Sequence, residues 1–223
     1  MRIQCPWRDW LAEPLSRDHL VHVYEDHASL VDALAIYAGA GLGKGEAVVL
    51  LVTRAHAAAV RKRLQSDGFE PADLERWGQL CVLDAGDVLE ELTVGGLPDA
   101  DQFRLICTSL IADARVASRN GRVRLGGEIV NLLWRMGQER AAVELESLWN
   151  ETIATHGVPL FCAYHVEEGG SLPAALCEAH THVLPVTASA WPDATTRGAR
   201  TGEQAPRRRP PASPSTGLAS RSR

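Results

Sequence analysis

Long hydrophobic runs are missing from this 223-residue chain. None approaches the ~18 apolar residues of a bilayer-spanning helix, and the N-terminus has no apolar signal segment. The sequence therefore predicts a soluble, cytoplasmic protein with no membrane partner. A disulfide framework is missing as well. Five cysteines (Cys5, Cys81, Cys107, Cys162 and Cys177) are odd in number, widely spaced and mostly inside apolar stretches. That is the pattern of reduced, buried thiols. Positive charge is scarce outside one end: the net charge is −5, yet residues 187–223 hold seven arginines against two carboxylates. The remainder is strongly acidic, which argues against direct nucleic-acid binding by the domain. No internal repeat, G-x-S-x-G elbow, DNA-binding segment or kinase segment occurs. Neither Cys81 nor Cys107 sits in an electropositive turn, so no catalytic residue is assigned.

What is present is a core-forming pattern. Hydrophobic residues make up 45% of the chain, enough to bury a substantial interior. Short apolar strands are expected at about 19–25, 46–53, 80–84, 122–128 and 159–164. Helical spacing separates them, including strong amphipathic stretches at 102–118 and 138–156. The segment 86–100 reads as a loop with a helical turn, and Leu172 to His182 as one final helix stopped by Pro185. Gly39, Gly41, Gly43 and Gly45 are expected to end the helix that starts near Ser29, with Ser29 or Asp26 as its N-cap. Strands alternating with helices imply an α/β three-layer sandwich with a mostly parallel sheet. The expected division is a flexible lead over 1–18, one domain over 19–186 and a disordered Pro/Arg/Ser-rich tail over 187–223.

In such a sheet, ligands sit outside the carboxyl ends of the strands. Three turns fall there: Tyr24-Glu25-Asp26, Gly126-Gly127-Glu128 and Tyr164-His165. Glu128 is placed to accept a ligand hydrogen bond or simply to favour a helix start. Cys177 and His180 share a helix face at i, i+3, with His19, His182 or Cys162 as conceivable co-ligands. A lone CxxH is better read as packing, so neither a metal nor a cofactor is assigned. Trp134 and Tyr164 are candidate walls of an apolar pocket. The candidate ligand-binding set is thus His19, Tyr24, Glu25, Asp26, Glu128, Trp134, Tyr164, Cys177 and His180.

Six pieces carry a family resemblance: HLVHVYED at 19–26, GLGKGEAVVLLVTRAH at 41–56, GGEIVNLLW at 126–134, LESLWNE at 145–151, FCAYHV at 161–166 and CEAHTHVLP at 177–185. Their order resembles the MEDS (methanogen/methylotroph DcmR sensory) domain family, and the layout is similar to the KaiC branch of RecA-like ATPases. On the latter likeness Glu25–Ser29 occupies the phosphate-loop position. A working loop needs glycines, a lysine and Ser/Thr. Here two carboxylates stand there without a lysine, and the strand before Gly126 lacks a terminal aspartate. The resemblance implies a RecA/KaiC-like sheet whose phosphate loop is lost. It further implies a non-catalytic sensory module that binds a small molecule, such as a hydrocarbon derivative, and signals to a regulatory protein in trans. An oligomer is compatible with this. The rival readings are an atypical ATPase or phosphotransferase and a purely structural interaction domain.

Overall fold

The computed structural model describes residues 6–168 and 170–184. The expected tail and the stop at Pro185 lie outside the described residues. In chain order the elements are α1 (Pro6–Ala12), β1 (His19–Tyr24), α2 (His27–Gly43), β2 (Ala47–Val52), α3 (Arg54–Ser66), α4 (Pro71–Arg76) and β3 (Leu80–Asp84). Then follow α5 (Ala85–Leu92), a small hairpin of β4 (Thr93–Val94) and β5 (Leu97–Pro98), α6 (Ala100–Ala117) and β6 (Val123–Gly127). The last elements are α7 (Ile129–Arg135), α8 (Glu139–His156), β7 (Leu160–His165), α9 (Ala174–Glu178) and β8 (His182–Leu184). Six strands form one sheet in the order β3-β2-β6-β7-β1-β8. Every pairing in it is parallel, whereas β4 and β5 pair antiparallel.

Both sheet faces are covered, which is why β1 and β2 are buried at all six positions. Alternate residues serve opposite cores. Val21, Val49, Leu51, Leu125 and Cys162 pack with α5, α6, α7 and α8. Leu20, Val48, Leu50, Phe161 and Ala163 pack with α2 and α3. The expected α/β layering is present, with the six-stranded sheet all-parallel rather than mostly so. No helix among the described residues is long and apolar enough to cross a membrane.

Several local expectations differ from the structure. Residues 6–12 of the expected flexible lead form a helix with Leu11 fully buried. A seven-residue helix shows too few turns for periodicity to register. Of the glycines expected to end α2, Gly39 and Gly41 lie within it, Gly43 is its last residue, and Gly45 just beyond takes a left-handed conformation (φ 78°). Gly41 is there for space: a Cβ would come within 2.8 Å of Arg124 Cδ and Nε. The expected loop over 86–100 contains α5, its first turn capped by Asp84 accepting from the N–H groups of Gly86 and Asp87. The expected helix 172–182 is a short α9 followed by β8, which adds a parallel edge strand beside β1 through Leu20 opposite His182.

Candidate functional site

The segments that follow β1, β2 and β6 meet at a cleft lined by His27, Thr53, His56, Glu128, Asn131 and Arg135. Its shape depends on Gly127, because a Cβ there would lie 2.0 Å from the Leu51 carbonyl oxygen. With none, β6 runs close against β2, and the Glu128 N–H donates to Leu51 O at 2.9 Å. The Glu128 carboxylate then turns onto the start of α3. Its Oε1 accepts from Thr53 N (2.8 Å) and Thr53 Oγ1 (3.0 Å) and lies 2.5 Å from His56 Nδ1. The far nitrogen of His56 is 2.7 Å from His27 Nδ1 at the exposed mouth. Carboxylate, imidazole and imidazole thus form a chain from buried to open, along which a proton or a ligand's polarity can be passed. Burial alone would raise the Glu128 carboxyl, but the His56 hydrogen bond and the Thr53 N–H outweigh it and hold it below the usual carboxylate range.

The turn from β1 to α2 is only Glu25-Asp26. Asp26 Oδ1 accepts from Ser29 N at 2.8 Å, so the N-terminus of α2 is capped by a carboxylate of the protein itself. Tyr24, last in β1, has its hydroxyl 3.4 Å from Asn131 Nδ2, and burial, then Glu128, raises its pKa. Asn131 Oδ1 in turn accepts from His165 N at 3.0 Å.

A second cluster lies under the other sheet face, against α8. His19, Glu146, Cys162 and His180 place one donor atom each within 4.8 Å of one another. The Tyr164 hydroxyl donates to Glu146 Oε1 at 2.5 Å. Burial works against the Glu146 charge, yet the two imidazoles beside it hold its pKa far below the carboxylate range. Burial, then Glu146, pushes the Cys162 thiol well above its usual value.

The residues singled out in the sequence therefore divide. Tyr24, Glu25, Asp26 and Glu128 stand at the sheet edge, with Asp26 spent on capping. His19, Tyr164 and His180 belong to the buried cluster. Cys177 does not join it; its Sγ is 3.9 Å from Leu172 O and packs on the core, and Cys162 is the sulfur donor present instead. Trp134 is half-buried beside Arg135 and His165 and is not among the residues that line the cleft or form the cluster. Sequence reasoning missed His27, Thr53, His56 and Asn131 at the cleft, and Glu146 in the cluster. Glu146 had a readable signal: it falls beside Leu145 and Trp149 on the buried face of an amphipathic helix, where a carboxylate needs a partner. His56, in the first turn of a helix, carried no such mark.

Among solved structures, a KaiC-like protein from the hyperthermophilic archaeon Pyrococcus horikoshii superposes with a TM-score of 0.54 at 17% identity, covering 76% of this chain and 70% of that one. At that identity the likeness shows the fold alone. No curated protein matches. The family profile described as MEthanogen/methylotroph, DcmR Sensory domain matches residues 18–181, a span that holds both the cleft and the buried cluster. The chain belongs to the MEDS family of sensory domains.

Proposed function

We propose that the domain is a non-catalytic sensory module that holds a small organic molecule in the cleft over β1, β2 and β6 and reports it to a regulatory protein in trans. The observation that carries this reading is the capped N-terminus of α2. A nucleotide's phosphates need free N–H groups at a helix start, and here Asp26 already occupies Ser29 N. The two-residue turn leaves no loop to wrap a triphosphate, and Glu25 and Asp26 repel one. The cleft offers a mixed lining instead: Ala28, Val31 and Leu132 are apolar, while His27, His56 and Glu128 form a polar line. This suits a hydrocarbon derivative with one hydrogen-bonding group. Signalling additionally requires two conformations with different ligand affinity.

A thermal-shift screen of short alcohols, halides, aldehydes and carboxylates tests the reading. A ligand at 100 times its Kd stabilises by about 2.7 kcal/mol, or roughly 5–10 °C in a domain this size. Glu128→Gln should remove that shift while staying folded. The reading fails if no compound stabilises the wild type, or if the variant responds equally. Saturable ATP turnover lost in Ser29→Ala would replace it with the enzymatic reading.

A further inference from the structure

The buried cluster is built from four separate elements: His19 opens β1, Glu146 is mid-α8, Cys162 is in β7 and His180 follows α9. His19 Nε2 is 3.3 Å from Glu146 Oε2 and 3.4 Å from Cys162 Sγ. His180 Nε2 is 3.4 Å from Glu146 Oε1, and Cys162 Sγ is 3.9 Å from Glu146 Oε2. A tetrahedral ion with bonds of ~2.0–2.1 Å to nitrogen or oxygen and ~2.3 Å to sulfur requires donor–donor edges of about 3.3–3.7 Å. The two histidine–glutamate contacts and the His19–Cys162 contact match that spacing; the Cys162–Glu146 edge is longer, and all four donor atoms lie within 4.8 Å of one another, so small side-chain shifts would close the set around an ion.

The outer contacts orient the rings. His180 Nδ1 is 2.7 Å from the Leu176 carbonyl, and His19 Nδ1 is 3.1 Å from the Ala179 carbonyl. A carbonyl only accepts, so each Nδ1 carries a hydrogen and each Nε2 is directed inward, the orientation that holds imidazole ligands to metals. Both Nε2 atoms then face the Glu146 carboxylate. The His180 side chain is fully buried, and its Nε2 has no hydrogen-bond partner among the described residues. A cation at the centre would give it a partner.

We infer that His19, Glu146, Cys162 and His180 bind a single borderline transition-metal dication, Zn2+ foremost. The thiol and imidazoles disfavour Mg2+ and Ca2+, which take oxygen ligands. Binding displaces the Cys162 proton to solvent. Because β1 and β7 both lead from this site to the sheet edge, the ion fixes the strands that carry Tyr24 and His165.

Cobalt reports the site. Co2+ added to the metal-stripped full chain should bind one to one, with intense visible bands of a tetrahedral centre and a near-ultraviolet thiolate-to-cobalt charge-transfer band. Cys162→Ser should abolish the charge-transfer band, and Cys177→Ser should keep it. His180→Gln should weaken binding at least ~10-fold, with circular dichroism confirming each fold; this variant decides the matter if Cys162→Ser does not fold. Zn2+ should displace Co2+ and bleach the spectrum. The assignment is overturned if the wild type takes up neither ion stoichiometrically, if the charge-transfer band survives Cys162→Ser, or if His180→Gln binds Co2+ as tightly as wild type. Glu128→Gln should leave the cobalt spectrum unchanged, so failure of the cleft and failure of the metal site are separately visible.

Discussion

His22 sits in the middle of β1 with 3% exposure, ringed by Trp7, Tyr24 and Phe161. Its Nε2 is 3.1 Å from Ser29 Oγ, while Nδ1 has no hydrogen-bond partner among the described residues. Burial pushes its pKa down to about 4, with the nearby Asp26 charge opposing weakly. In the unfolded chain the same imidazole titrates near ~6.5. The unfolded state thus binds more protons between the two values, so this contribution to stability is complete above pH ~6.5 and is lost as the pH falls toward 4. The loss amounts to about 3 kcal/mol. Glu128, held below the carboxylate range, contributes stability that is complete above the ordinary carboxylate value and is lost as the pH falls below it. Calorimetry from pH 7 to 4 should show a falling Tm for the wild type and a flatter profile for His22→Leu. Equal slopes would mean that neutral burial of His22 is not the cause. At this scale the sequence was partly legible. Asp26 was one of two candidate caps, because short carboxylates before an apolar helical stretch satisfy N–H groups. Nothing in HLVHVYED showed which face His22 would take, since both faces of the strand are buried.

The pair Gly126-Gly127 decides how β6 fits between β2 and β7. A Cβ on Gly126 would meet Phe161 O at 3.3 Å and Tyr37 Cε1 at 3.4 Å, tight but adjustable. On Gly127 it would lie 2.0 Å from Leu51 O, which is backbone and cannot yield without breaking the β2–β6 ladder. Gly126→Ala should therefore cost about 1–2 kcal/mol and Gly127→Ala more than about 3 kcal/mol, read as midpoints in urea denaturation. Gly127→Ala should also move Glu128 away from Thr53 and His56 and remove the ligand response. Similar midpoints for the two variants would show that β6 relaxes more easily than this packing allows. Elements with long patterns were legible: the apolar run at 47–52 and the amphipathic helices α6 and α8 lie close to where periodicity puts them. Elements made by tertiary context were not. Strand β8 has three residues, too few for a pattern, and exists because β1 offers an unpaired edge. The helix α5 ran into a glycine-rich hairpin and so read as loop.

Across the whole molecule, one buried ion pair ties the N-terminal helix to the sheet. Arg124, 1% exposed on β6, bonds through Nε to the Glu46 carboxylate. Its remaining donors reach the carbonyls of Leu11 (3.1 Å), Tyr37 (3.2 Å) and Ala12 (3.1 Å). A guanidinium with five donors needs this many acceptors when buried, and α1 supplies two of the three carbonyls. Leu11 adds a fully buried side chain to the core shared by α2 and β1, and Trp10 stacks on His182 of β8 with ring centroids 4.7 Å apart. An arginine inside a strand gave no hint of this, because a charged residue there reads as an exposed position. The folded unit therefore begins before residue 19, where the repeated strand–helix pattern begins. Removing residues 1–12 uncovers Leu11's site, worth about 2–3 kcal/mol for one buried leucine, and opens the Arg124–Glu46 pair to water. The Tm should fall by roughly 5–10 °C, and the edge strand β8 should lose hydrogen-exchange protection first, since Trp10 no longer covers it. A dispensable lead predicts the opposite: no change in Tm or in exchange. Arg124→Met in the full chain separates the two contributions, because it leaves Leu11 buried while stranding Glu46 without its main partner. That buried carboxylate, left with only the half-exposed Arg122 at 3.2 Å, should cost about 3 kcal/mol, while, unlike the deletion, the variant should keep the Trp10–His182 stack and the exchange protection of β8.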